Sequence, residues 1–149
     1  MKIGIMAALD EEIEPLLENL ESRETETRLS HEFHRATLAG IQVIVTTSGV
    51  GKTRTAARTQ YLIDHFDVER FIFVGVAGAL NPKLKLGDIV VAHRAKQHDF
   101  DLSGSFVTGK MGSYWYEADS RLVASAMRVG ERLGMKGKLH LGSVLSGDQ

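Results

Sequence analysis

The chain has 149 residues, enough for one domain with a substantial core and too few for two ordinary ones. Its formal net charge of −1, with no long run of like charge, marks neither a nucleic-acid nor a membrane surface and leaves small-molecule chemistry open. It contains no cysteine, which excludes disulfides and thiolate metal sites and fits a reducing compartment. The opening Met1-Lys2-Ile3-Gly4-Ile5-Met6 is too short for a secretory apolar region and no run approaches a membrane span, so a single cytoplasmic α/β domain over residues 1–149 is the expectation.

Lys2 to Met6 reads as a buried strand, followed by a helix in which Ile13, Leu16, Leu17 and Leu20 repeat at helical spacing. Pro15 is tolerated only early in a helix, so the start falls near Asp10-Glu11-Glu12, with three carboxylates at the positive end of the dipole. N-capping alone explains acidic residues there in most helices. Ser22 to Ser30 is polar and reads as helix end plus exposed loop, whereas Phe33 to Leu38 and Ile41 to Thr46, broken at Ala39-Gly40, read as a β-hairpin. His31 and His34, three apart on its first arm, point to opposite faces and read as surface or edge residues, not metal ligands.

Ser48-Gly49-Val50-Gly51-Lys52-Thr53 then opens a helix to His65, with Ala56, Ala57, Tyr61, Leu62 and Ile63 available to pack. Its Gly-Lys-Thr invites a phosphate-loop reading, but that motif needs glycine where Thr46 stands, so the turn offers only backbone N–H groups at a helix N-terminus. Phe71-Ile72-Phe73-Val74 reads as a strand buried on both faces, closed by Gly75-Val76-Ala77-Gly78, where backbone either turns with positive φ or comes very close to something. Two glycine turns at strand ends suggest a shared pocket. Beyond a polar turn, Ile89 to His93 reads as a strand, and the Gly/Ser-rich stretch from Phe100 to Tyr114-Trp115-Tyr116 is too long for a passive connection and reads as a lid or interface. Glu117-Ala118-Asp119 opens a helix whose buried face is Leu122, Val123, Ala126, Val129 and Leu133, capped by Gly134, and Leu139 to Ser146 forms a last strand.

Five segments, in this order, resemble the nucleoside phosphorylase/hydrolase superfamily, and within it the bacterial methylthioadenosine/S-adenosylhomocysteine nucleosidases. They are Lys2-Ile3-Gly4-Ile5 with Glu11-Glu12; Ser48-Gly49-Val50-Gly51-Lys52; Gly75-Val76-Ala77-Gly78; Leu86-Gly87-Asp88-Ile89-Val90-Val91 with His98-Asp99 and Asp101; and Ser146-Gly147-Asp148. The resemblance implies a twisted mixed β-sheet flanked by helices, a homodimer, no metal or organic cofactor, and cleavage of an adenine–ribose bond by water through an oxocarbenium-like transition state. It makes Glu12 the residue that activates the water. Two opposing effects act on that carboxylate: neighbouring charges raise its pKa and the helix dipole lowers it.

The same resemblance places the Gly75 to Gly78 turn, with Val76, Ala77 and Gly78, under the purine and ribose and Ser48 in the same cleft, with Val50 near the ribose 5′ substituent. Leu9 forms an apolar wall where methionine is common, and Leu102 reaches across the dimer interface. Val76 departs from the pattern, since a hydroxyl residue there commonly helps hold the water and valine cannot. Phosphorylases of the superfamily hold phosphate with arginines after the first strand and before the Gly-x-x-Gly turn; here stand Ala7 to Glu12 and Phe71 to Val74, without arginine, so water is the expected nucleophile. The alternatives are a hydrolase of a related nucleoside such as futalosine, a purine nucleoside phosphorylase, or a binding-only relative. Family members also run on past the Ser-Gly-Asp segment to a base-stacking aromatic, a ribose-binding glutamate and an aspartate that protonates adenine. These 149 residues by themselves are accordingly expected to be a C-terminally truncated form without turnover.

Overall fold

The computed structural model describes residues 1–28, 30–99 and 114–147, and the chain divides into two compact units, residues 1–77 and residues 78 onward. The first unit runs β1 (Lys2–Ala7), α1 (Asp10–Leu17), β2 (Glu21–Arg28), β3 (His31–Leu38), β4 (Ile41–Thr47), α2 (Lys52–Phe66) and β5 (Arg70–Phe73). Its sheet has the order β2-β3-β4-β1-β5, with β1 parallel to both β4 and β5 and the β2-β3-β4 pairs antiparallel.

Alternation along the central strands explains the two-sided core. Ile3, Ile5 and Ala7 of β1 and Val43 and Val45 of β4 face Ile13 of α1, whereas Met6 and Ile44 face Leu62 and Phe66 of α2 and Phe33 of β3. Successive residues of β1 are thus buried on opposite faces, as a strand covered by helices on both sides requires. The β3–β4 hairpin closes in two residues, with Leu38 opposite Ile41 and both Ala39 (φ 50°) and Gly40 (φ 77°) in the left-handed region that matches the twist of such a turn.

Several expectations are corrected in this unit. Residues 22–28 are strand, not loop: β2 is an edge strand exposed along nearly its whole length, held by its ladder to β3 and by pairs such as Arg35 Nη2 to Glu26 Oε2 at 3.3 Å. The strand Phe71 to Val74 is not buried on both faces; among the described strands β5 pairs only with β1, and Ile72 and Phe73 are exposed. On α2 the inward residues are Arg58, Leu62 and Phe66, one every fourth position, while Ala56, Ala57 and Ile63 face outward. His34 is buried, with Nδ1 2.9 Å from Thr25 Oγ1, and burial pushes its pKa down. α1 begins at Asp10 as expected, which leaves Pro15 in its second turn.

The second unit carries β6 (Ile89–Gln97), β7 (Tyr116–Glu117), α3 (Ser120–Arg132) and β8 (Leu139–Ser146), in a sheet ordered β7-β6-β8 with β6 and β8 parallel. The described strands therefore form two mixed sheets flanked by helices where the sequence reading expects one. Asp119 caps α3, accepting from the N–H groups of Arg121 (2.8 Å) and Leu122 (3.3 Å), and Gly134 follows the helix at φ 71°. The helix is rotated from the expected face. Gly130 is its buried residue and lies against Leu139, where any Cβ would collide, while Ala126, Val129 and Leu133 are exposed. Trp115 stacks under the Arg94 guanidinium at 4.2 Å, and the lid or interface expected from residue 100 onward, with Leu102, lies outside the described residues up to residue 113.

Candidate active site

In the first unit, the connections out of parallel strands β1 and β4 leave in different directions, and this is where an open α/β sheet presents a crevice at the carboxyl ends of its strands. Three chain segments meet there. Ser48, just past β4, donates its N–H to Ala7 O at 2.8 Å, and Val74, just past β5, donates its N–H to Met6 O at 2.9 Å. The end of β1 is thereby clamped from both sides, immediately before Ala8-Leu9 and the first turn of α1.

Glu12 occupies the third position of α1 and reaches back across this junction. Its Oε2 accepts the N–H groups of Ala8 (3.0 Å) and Leu9 (2.9 Å), and its Oε1 accepts the N–H of Val76 (3.0 Å). Capping its own helix and joining α1 to the Gly75-Val76 turn are therefore one arrangement. The Leu9 hydrogen bond holds the Glu12 pKa below the usual carboxylate range, aided by those from Val76 and Ala8 and opposed by desolvation. The lowering comes from these backbone donors, which are neither of the two effects weighed in the sequence. A half-exposed, fully ionised carboxylate at this junction can orient a water, take its proton, or stabilise a cation beside it.

The other predicted residues divide. Leu9, Val50, Val76 and Ala77 are exposed in the first unit, with Val76 contributing its backbone N–H while the residue as a whole is 88% exposed. Gly78 opens the second unit and has no atom within 4 Å of a built Cβ. Ser48 serves as a strut between β1 and α2. It is wholly buried, its hydroxyl lying 3.2 Å from Ala7 O, 2.9 Å from Gly49 O and 3.1 Å from Thr55 Oγ1. Asp10 accepts from Thr47 Oγ1 at 2.9 Å, which fixes the first turn of α1 to the end of β4. The Ala8 and Leu9 amides went unpredicted as donors, because a backbone N–H carries no side-chain signature; a glutamate in the third helical position was the available signal.

A family model for the phosphorylase superfamily matches residues 2–149, and the chain belongs to that superfamily. Among individual relatives, it is 36% identical over 136 residues to the 5′-methylthioadenosine/S-adenosylhomocysteine nucleosidase of Psychromonas ingrahamii, an alignment covering 89% of this chain and 59% of that protein. It is 30% identical to the aminodeoxyfutalosine nucleosidase of Campylobacter jejuni, covering 100% of this chain and 66% of that one. Among solved structures, the S. pneumoniae 5′-methylthioadenosine/S-adenosylhomocysteine nucleosidase with a transition-state inhibitor superposes with TM-score 0.90 at 32% identity, over 100% of this chain and 65% of the other. The futalosine hydrolase of Helicobacter pylori gives TM-score 0.87 at 34% identity with the same coverage. The chain thus spans somewhat under two thirds of the length of the relatives it matches.

Proposed function

We propose that the protein carrying this chain is a purine nucleosidase that hydrolyses the N-glycosidic bond of methylthioadenosine- or S-adenosylhomocysteine-type nucleosides and releases adenine. The observation that supports it most is the Glu12 carboxylate, held ionised by the Ala8, Leu9 and Val76 amides at the carboxyl ends of β1 and β5. In this reading the bond from the ribose C1′ to the base breaks with its electron pair leaving on adenine, and water adds to C1′ as Glu12 takes one of its protons. Adenine takes up a proton at a ring nitrogen, and Glu12 returns its own to solvent. Leu9, Val50, Val76, Ala77 and Gly78 then contact the nucleoside, with Leu102 supplied across a homodimer. The enzyme acts in the cytoplasm without a cofactor.

The names of the Campylobacter and Helicobacter relatives favour a second substrate, an aminodeoxyfutalosine-type nucleoside cleaved by the same chemistry. Base release by the protein that carries this chain in the cell, not by the 149 residues alone, from methylthioadenosine, S-adenosylhomocysteine and aminodeoxyfutalosine, each measured with and without phosphate, tests both readings. Phosphate-independent adenine release is expected. Release that requires phosphate would make the protein a phosphorylase, and no release from any of the three would overturn the proposal.

A further inference from the structure

A carboxylate offers four lone-pair positions, two on each oxygen. At Glu12 the Ala8 and Leu9 amides fill both on Oε2 and the Val76 amide fills one on Oε1, which leaves, among the described residues, a single unfilled position, on Oε1. Residue 75 borders that oxygen and has no side chain to crowd it. A Cβ built on Gly75 would stand 3.0 Å from Glu12 Oε1, 3.5 Å from its Cδ and 3.6 Å from Oε2, and these are its three nearest atoms. A contact of 3.0 Å is tighter than carbon and oxygen tolerate at rest, so the carboxylate would have to give way. Backbone conformation supplies no competing reason for glycine: Gly75 is not among the positive-φ glycines, so alanine fits its φ, and the nearest atoms it meets are those of Glu12.

From this geometry we infer that Gly75 is a positioning residue for the reaction. Its missing side chain keeps Glu12 Oε1 seated on the Val76 amide and leaves the one free lone pair open toward the reacting water. The inference rests on the reading of Glu12 as the group that takes the water's proton, and it assigns that proton to Oε1. A methyl group at residue 75 pushes Oε1 off Val76, so the carboxylate loses both its aim and one of the donors that keep it ionised. The carboxylate has to give by a few tenths of an ångström, enough to loosen the Val76 contact and turn the free lone pair off its line, which lowers the rate with binding little changed.

The test is Gly75→Ala, alone and combined with Glu12→Asp, whose shorter side chain withdraws the carboxylate from the contact. In the parent background kcat should fall roughly tenfold or more with KM little changed, whereas in the Glu12→Asp background the same substitution should cost less than about threefold. The Glu12 carboxyl, titrated by carbon NMR, should move upward in Gly75→Ala toward the ordinary glutamate range. Equal losses in both backgrounds with an unmoved titration would overturn the inference. Should the protein that carries this chain release no base, the functional reading fails while the titration still decides whether Gly75 holds Glu12. If Gly75→Ala alone does not fold, recovery of folding in Gly75→Ala/Glu12→Ala supports the contact, and continued failure to fold refutes it.

Discussion

Glutamine at residue 12 keeps the shape of the side chain but replaces one acceptor oxygen with an NH2 group, which cannot accept the Val76 amide while the other oxygen serves Ala8 and Leu9. Glu12→Gln should therefore lower turnover by roughly two orders of magnitude or more with little loss of product binding, and unchanged turnover would reduce Glu12 to a helix cap. The pH profile carries a sign. Because the folded pKa is depressed, the ionised form persists below the ordinary glutamate value of about 4.3, so the acid limb due to Glu12 should lie lower than that, with activity lost only as pH falls through the depressed pKa. At this scale the sequence showed the carboxylate but not its holders. Ala8 and Leu9 act through amides, and the burial of Ser48 depends on β4 pairing with β1, a contact between residues far apart in the chain.

The helices were legible wherever local chemistry announces a boundary. Asp10-Glu11-Glu12 starts α1, Gly51 precedes α2, and Asp119 and Gly134 bracket α3. β2 was not legible, because an edge strand with both faces in water has no apolar alternation to reveal it. Nor was the outward turn of Ile72 and Phe73, since β-branched and aromatic residues announce a strand but not how many neighbours cover it. The Asp119 cap gives this scale its prediction. The Arg121 guanidinium, joined by the Arg121 amide, lowers the Asp119 pKa to about 2, against about 3.9 for a free aspartate. The stabilisation from its charge is present in full above about 4 and is lost as pH falls toward 2. The difference in urea midpoint between the parent and Asp119→Asn should be constant near neutrality and shrink across that window, and a difference independent of pH would assign the cap to hydrogen bonding alone.

For the molecule as a whole, a mixed sheet flanked by helices followed from alternating apolar strands and amphipathic helices in the sequence, whereas the parallel order β4-β1-β5 did not. Separation of the described strands into two sheets did not follow, because pairing partners are chosen by long-range register and not by local pattern. The homodimer in the proposed function belongs to this scale. Sedimentation at micromolar concentration should give a single species of twice the chain mass, and a clean monomer would remove Leu102 from the proposed substrate contacts.

The central position of β1 also bears on the order in which the protein can assemble. The strand comes first in the chain, yet Lys2 must wait for Gln42 and Ile3 for Arg70 before either edge is hydrogen-bonded. The β3–β4 hairpin, by contrast, closes across Ala39-Gly40 with almost no loop to order. During synthesis the hairpin can form while β1 is still unpaired, and a chain that has not yet docked β5 holds Glu12 by Ala8 and Leu9 alone. Competence at this junction is therefore acquired late, with the arrival of the Gly75-Val76 turn.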